Sequence, residues 1–143
     1  KGRALVRPNE YVEMPKVKPV VVDGNLEPNE DTRDGWYVFK RWWLESKGKP
    51  DNMVLMTVQG NSMSPVINAG DMVLIDTSKT RPVPGCYYVM TMSGMVLIRR
   101  LELERPGEVA LYAEDNSTPP IKGNVESDFQ ILGTIIWSGR EFS

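Results

Sequence analysis

The sequence predicts a mainly β domain, a curved sheet or partly closed barrel with one or two short helical turns. Three observations carry that expectation. From Met53 onward, short apolar, β-branched or aromatic runs recur, each bounded by Gly, Pro, Asn or Asp. Met92-Ser93-Gly94-Met95 joins two of these runs in the manner of a hairpin turn. The longest apolar runs, such as Thr134-Ile135-Ile136-Trp137, are strand-length.

In chain order, residues 1–16 are polar, with Pro8 and Pro15 interrupting regular structure, and read as a linker entering the domain. Val17-Lys18-Pro19-Val20-Val21-Val22 is β-branched and reads as a strand, which Pro19 places at an edge. Asp23-Gly24-Asn25 turns the chain, and residues 25–35 are acidic and loop-like. Residues 36–44 hold three of the four tryptophans. Their apolar spacing fits a short strand running into one helical turn, with the rings covering one end of the core or a subunit contact. Strands are expected over 54–58, 72–76, 86–92, 95–103, 109–113 and 129–138. Pro119-Pro120 and Gly123-Asn124 mark a longer connection before the last of them.

At 143 residues the chain has the length of one domain with a real core, here residues 17–143. A formal charge of −2 provides no field to attract nucleic acid or an acidic membrane surface. No run approaches a membrane span and no signal peptide is visible, so a cytoplasmic protein is expected. The single cysteine, Cys86, excludes an internal disulfide and fits a reducing compartment. The chain contains no histidine, which removes Ser-His-Asp and Cys-His catalysis along with His-based metal sites. No cofactor or metal is expected. The chain begins at Lys1 rather than Met, as a piece of a longer protein would.

The organising stretch is Val58-Gln59-Gly60-Asn61-Ser62-Met63-Ser64-Pro65, followed by Ala69-Gly70-Asp71 and the 72–76 strand. Gly60 permits a sharp turn. Ser64-Pro65 reads as a capped helix start, which would place Ser62 among free N–H groups that favour negative charge. Such a site suits a serine nucleophile and its oxyanion. Without histidine, the workable activator is a lysine, neutral only if burial lowers its pKa from about 10.4 towards neutrality.

Gly60-Asn61-Ser62-Met63-Ser64-Pro65, Gly70-Asp71, Pro84-Gly85-Cys86-Tyr87-Tyr88-Val89 and Ile98-Arg99-Arg100-Leu101 together resemble the C-terminal domains of LexA and the lambda-type phage repressors. The resemblance runs in register and order over residues 17–138. It implies a mostly β domain that dimerises the repressor. It also implies a Ser–Lys dyad that cuts the repressor's own linker when an activated RecA filament binds. Ser62 takes the nucleophile position. The base position, a lysine in the family, is held here by Arg99. Guanidinium has a pKa above about 12 and accepts no hydrogen bond. At neutral pH its uncharged fraction lies roughly five orders of magnitude below that of a tuned lysine. The family's Ala-Gly cleavage site matches Asp23-Gly24 here, a carboxylate costly to bury in a dry cleft unless paired, for which Arg99 is the candidate partner.

These residues lead to a phage- or prophage-type repressor domain that keeps the peptidase fold and loses self-cleavage. Its partners by resemblance are a second copy or higher homo-oligomer, and DNA through a helix-turn-helix upstream of Lys1. A RecA filament is the family's trigger, and a small antirepressor protein is the release route when cleavage is lost. Two enzymatic alternatives stand beside this reading. One is an active self-cleaving repressor using Lys79 or Lys122, both in expected loops. The other is a type I signal peptidase-like enzyme, which shares Ser-Met-x-Pro and Gly-Asp but needs a membrane anchor. The dimer surface is expected on the last strand and tail, through Ile131, Ile135, Trp137 and Phe142, because residues 129–142 carry apolar side chains on both faces. A fully buried central strand would show the same pattern.

Overall fold

The computed structural model describes residues 8–125 and 127–142. Its nine strands form one sheet: β1 (Tyr11–Val17), β2 (Arg33–Lys40), β3 (Met53–Thr57), β4 (Met72–Asp76), β5 (Tyr87–Met92), β6 (Met95–Arg105), β7 (Glu108–Tyr112), β8 (Ile121–Asn124) and β9 (Gln130–Gly139). A short helix, α1 (Arg41–Glu45), follows β2 directly. The spatial order is β2-β1-β3-β4-β9-β5-β6-β7-β8. Every described pairing between strands is antiparallel except β1 with β3. The domain is mainly β as the sequence predicts, and the sheet remains open, with β2 and β8 as its edges.

Both faces of the central strands are buried, which is why their sequences run apolar instead of alternating. Val54, Met56, Val73, Ile75, Val89, Ile98 and Leu132 point into one central cluster. On the reverse side, Met53, Leu55 and Leu74 pack with Leu44 of α1. Tyr88, Met90, Leu101 and Leu111 pack there with Phe129 and Ile131. Leu44 is fully buried although Lys40 supplies no side-chain cap, so tertiary packing holds this five-residue helix. Among the described residues, no helix is long and apolar enough to cross a membrane.

β9 is the middle strand of the sheet. It pairs with β4 over its C-terminal half and with β5 over its N-terminal half, with a register shift on each side. Gly133 lies at this crossing. A Cβ there would sit 2.6 Å from Ile75 Cγ2 and 2.8 Å from the Asp76 carbonyl oxygen. Gly133→Ala is therefore expected to cost about 1–2 kcal/mol, read as a lower urea midpoint, because backbone must move to admit the methyl group.

Three expectations are corrected. The interruption expected over 1–16 gives way to strand β1 from Tyr11 onward, while residues 1–7 lie outside the described residues. Pro15 is tolerated because the β1–β2 register shifts between Pro15 and Val17, and the β1–β3 backbone pairing is confined to Lys16 and Val17. The strand expected over 17–22 ends at Val17. Beyond it, Val22 and Asn25 bond each other around Asp23 (φ 50°) and Gly24 (φ 79°), a tight turn with left-handed backbone at both central residues. That closure leaves residues 18–21 without a neighbouring strand. β8, within the expected long connection, was hidden by its composition, Ile-Lys-Gly-Asn.

Candidate active site

The Ser62 loop leaves β3 and returns into β4, and its ends prolong that ladder. The Val58 N–H donates to the Asp71 carbonyl oxygen (2.8 Å), and the Gly70 N–H donates to that of Val58 (2.9 Å). Gly60 adopts φ 78°, where a side chain would be strained. Met63 and Ile67 anchor the loop in the central cluster. The helix expected from Ser64-Pro65 does not form. Residues 61–67 are a series of turns, with Ser64 N–H donating to Asn61 and Val66 and Ile67 N–H groups donating to Met63. Among the described residues, no helix N-terminus faces Ser62.

Two further contacts hold the loop. The Asp71 carboxylate is buried, accepting the Asn68 N–H at 2.8 Å and two N–H groups of Arg140 at 2.8 and 2.9 Å. The bidentate hydrogen bonds from Arg140 hold the Asp71 carboxyl below its ordinary value of 3.8. The Ser62 carbonyl oxygen accepts the N–H groups of Glu114 (2.9 Å) and Asp115 (3.0 Å), just beyond β7. Glu114 in turn receives the Tyr87 hydroxyl and the Arg100 Nε–H. Burial, reinforced by the Glu114 hydrogen bond, pushes the Tyr87 phenol up to about 12.

Arg99 comes from β6, opposite Tyr88 of β5. Its Nη1 donates to Ser62 Oγ at 3.1 Å and to the Ile98 carbonyl oxygen at 2.7 Å. Its Nε is buried and has no hydrogen-bond partner among the described residues. Burial pulls the Arg99 pKa down, and the Asp115 carboxylate opposes that pull. Asp115 is itself held low, chiefly by the Thr118 hydroxyl and N–H and in smaller part by Arg99. Ser62 and Arg99 share a cleft of about 200 Å³ with Pro19, Met56, Met63 and Met95.

The direction of the hydrogen bond decides the chemistry. Guanidinium has only N–H donors, so Ser62 Oγ accepts from Arg99 and its own proton finds no acceptor there. The geometry of a nucleophile–base pair is present with its polarity reversed. Asp23 does not pair with Arg99. It is exposed in its turn, which is tied to the start of β9 by the Gln130 Nε2–H bond to the Gly24 carbonyl oxygen (3.0 Å). Asp115, from the β7–β8 connection, is the carboxylate that acts on Arg99. Lys79 and Lys122 are half-exposed and ion-paired to Asp76 (3.9 Å) and Glu104 (3.8 Å), and Lys122 lies in β8 instead of a loop. Neither lines the Ser62 cleft.

Sequence reading missed Asp115, Glu114 and Arg140. The Asp-Asn-Ser-Thr run of residues 115–118 marks Asp115 as a turn residue, and its N–H bond to Ser62 spans 53 positions. The Asp71–Arg140 pair is separated by 69 positions and has no local signal.

Residues 19–136, most of the chain and including both Ser62 and Arg99, match the Peptidase S24-like family. The chain belongs to that family. The Peptidase S24-like domain is 29% identical over 110 residues to an uncharacterized HTH-type transcriptional regulator of Haemophilus influenzae, covering 75% of this chain and 46% of that protein. It is 25% identical over 135 residues to the repressor protein CI of Enterobacteria phage phi80, covering 91% of this chain and 57% of that protein. The chain spans about half the length of these curated relatives. The resemblance to LexA and phage-repressor C-terminal domains is thereby supported by a family match over nearly the same span.

Within one copy, the residues expected at a dimer surface differ in exposure. Ile131 is buried, and Trp137 meets Phe39 and Trp43 edge-on, each at 5.7 Å between ring centroids. Ile135 packs against the central cluster. Both edges of β9 are paired, and its side chains meet packed clusters on both faces, Leu132 and Ile135 on one and Ile131, Ile136 and Trp137 on the other. Phe142 is the residue of that set left open, 91% exposed.

Proposed function

We propose that this chain is the oligomerising, regulatory C-terminal domain of a phage- or prophage-type transcriptional repressor that has lost self-cleavage. The observation that carries this reading is the donation from Arg99 Nη1 to Ser62 Oγ at the position where the family places a basic lysine. A group that is always charged cannot take the serine proton, whatever the cleft does to its pKa within the range of ordinary pH. The repressor reading draws on the two relatives, a phage repressor and an HTH-type regulator, and DNA contact belongs to a helix-turn-helix segment outside this sequence. Release from DNA then proceeds by a route other than cutting, for which a small antirepressor protein is the simplest partner.

The test is an alkaline challenge. Self-cleaving relatives accelerate as a buried lysine loses its proton, whereas Arg99 has no accessible neutral form at about pH 10. The chain is expected to stay intact over a day at that pH, followed by mass spectrometry, with or without an activated RecA filament. Fragments ending at Asp23 would overturn the reading.

A further inference from the structure

Arg99 brings a positive charge to the Ser62 cleft, and only one side of its guanidinium is engaged. Nη1 donates to Ser62 Oγ (3.1 Å) and to the Ile98 carbonyl oxygen (2.7 Å), which uses both of its protons. Nε and Nη2 make no hydrogen bond among the described residues, and Nε is buried. Asp115 attracts Arg99 from longer range, but its carboxylate is taken up by the N–H groups of Ser117 and Thr118 and by the Thr118 hydroxyl. A buried donor without a partner is costly, and the planar fork of Nε and Nη2 matches a carboxylate. The same chain shows that match elsewhere, where Arg140 uses Nε and Nη2 to hold Asp71 at 2.8 and 2.9 Å.

The space beside that fork is narrow and bordered by strand ends. At about 200 Å³ it is smaller than the roughly 300–1,000 Å³ of small-molecule sites, room for one acidic side chain instead of a whole ligand. β6 pairs with β7 only from Arg100 onward, so Met95 to Arg99 have β5 as their one strand neighbour among the described residues. Across the cleft, β3 pairs with β1 only at Leu55 and Met56, and the chain runs on from Thr57 to Gly60 along the wall. Met95 lies in the lining and is 67% exposed, a flexible side chain able to move aside for an entering group.

We propose that this cleft binds an extended segment of a partner protein along the open edge of β6 and seats one Glu or Asp side chain of that segment on Arg99. Main-chain bonds at a sheet edge supply affinity, and the charged pocket supplies specificity. The chain's own Asp23 leaves the cleft to the partner, since its turn is held at Gln130. The residue that prevents proton transfer from Ser62 is thereby the one that recognises the partner. This inference rests on the reading above, because it needs a permanent cation where a catalytic base would be neutral, and it gives the antirepressor its contact.

The probe is the capped peptide Thr-Val-Glu-Val-Thr, with Thr-Val-Gln-Val-Thr and butyrate beside it, added to the full isotope-labelled chain. The readout is the Arg99 Nε–H resonance, assigned by its loss in Arg99→Lys. The Glu peptide is expected to shift that signal with a Kd of about 1 mM, and the Gln peptide to bind about tenfold more weakly. Arg99→Gln is expected to erase the preference, and the two peptides still test the site on the natural chain should that variant fail to fold. Equal binding of the two peptides, or no shift from either at about 10 mM, would overturn the site. Butyrate binding as tightly as the Glu peptide would overturn a protein segment as the occupant. Cutting at alkaline pH would sink the loss of cleavage on which this inference rests, whereas an intact chain indifferent to the Glu peptide sinks this site alone.

Discussion

Arg99→Lys combined with Asp23→Ala is expected to turn this chain into a slow self-cleaver that cuts between residues 23 and 24. The amine would occupy the region from which Arg99 Nη1 now reaches Ser62 Oγ at 3.1 Å. The burial that pulls the Arg99 pKa down would pull a lysine down from about 10.4, and a lysine, unlike guanidinium, can surrender its proton within working pH. Asp115 opposes that shift, so cleavage should rise steeply between about pH 7 and pH 10. Asp23→Ala serves twice. It removes a carboxylate that would be costly in the cleft. It also loosens a turn whose first central residue sits at φ 50°, a conformation that Asp tolerates better than Ala. The turn has to leave Gln130 to reach Ser62, so cleavage measures that release as well as the chemistry. Mass spectrometry of the fragments gives the cut site, and adding Ser62→Ala should abolish it. An intact double variant would show that the turn does not reach the serine, while the reason Arg99 cannot act as a base would stand.

The second large effect is expected at Asp71. Asp71→Ala takes the charged acceptor from the Asn68 N–H, a loss worth about 2–3 kcal/mol, and unfastens the Ser62 loop from Arg140. Arg140→Ala should cost less, because its partly exposed side chain is the end of the latch while Asp71 is the buried hub. Acid titration distinguishes this contact from simple packing. The folded-state pKa of Asp71 lies below its ordinary 3.8. Its contribution is therefore complete above about pH 4 and fades as pH falls through the folded value. Against an Asp71→Asn variant, which lacks that titration, the stability advantage of the natural chain should shrink in that acidic window. A gap in urea midpoints that stays constant from about pH 6 to pH 3 would refute the ionic account.

Local chemistry was legible where it is written in neighbouring residues. The strands from β3 to β7 and β9 were legible from runs bounded by Gly, Pro, Asn or Asp, because burial on both faces demands continuous apolar sequence. The Ser62–Arg99 pair was legible through motif order, although they lie 37 positions apart, and Arg99's inability to accept a proton is a property of guanidinium that no fold alters. Tertiary structure decided the rest. Pro15 reads as a break, but a register shift and a backbone pairing with β3 confined to two residues let β1 form around it. The apolar pattern of β9 fits a subunit surface and a central strand alike, and in the folded chain its side chains meet packed clusters on both faces. Asp23 had the right charge to meet Arg99, yet a turn closed on itself and held by Gln130 keeps it in solvent, and Asp115 acts there instead. Asp71 and Arg140 meet only because β4 and β9 are adjacent. Side-chain chemistry and strand-forming patterns are local properties of the chain, whereas ion pairs between distant residues and the choice of which strand edges stay open depend on sheet order.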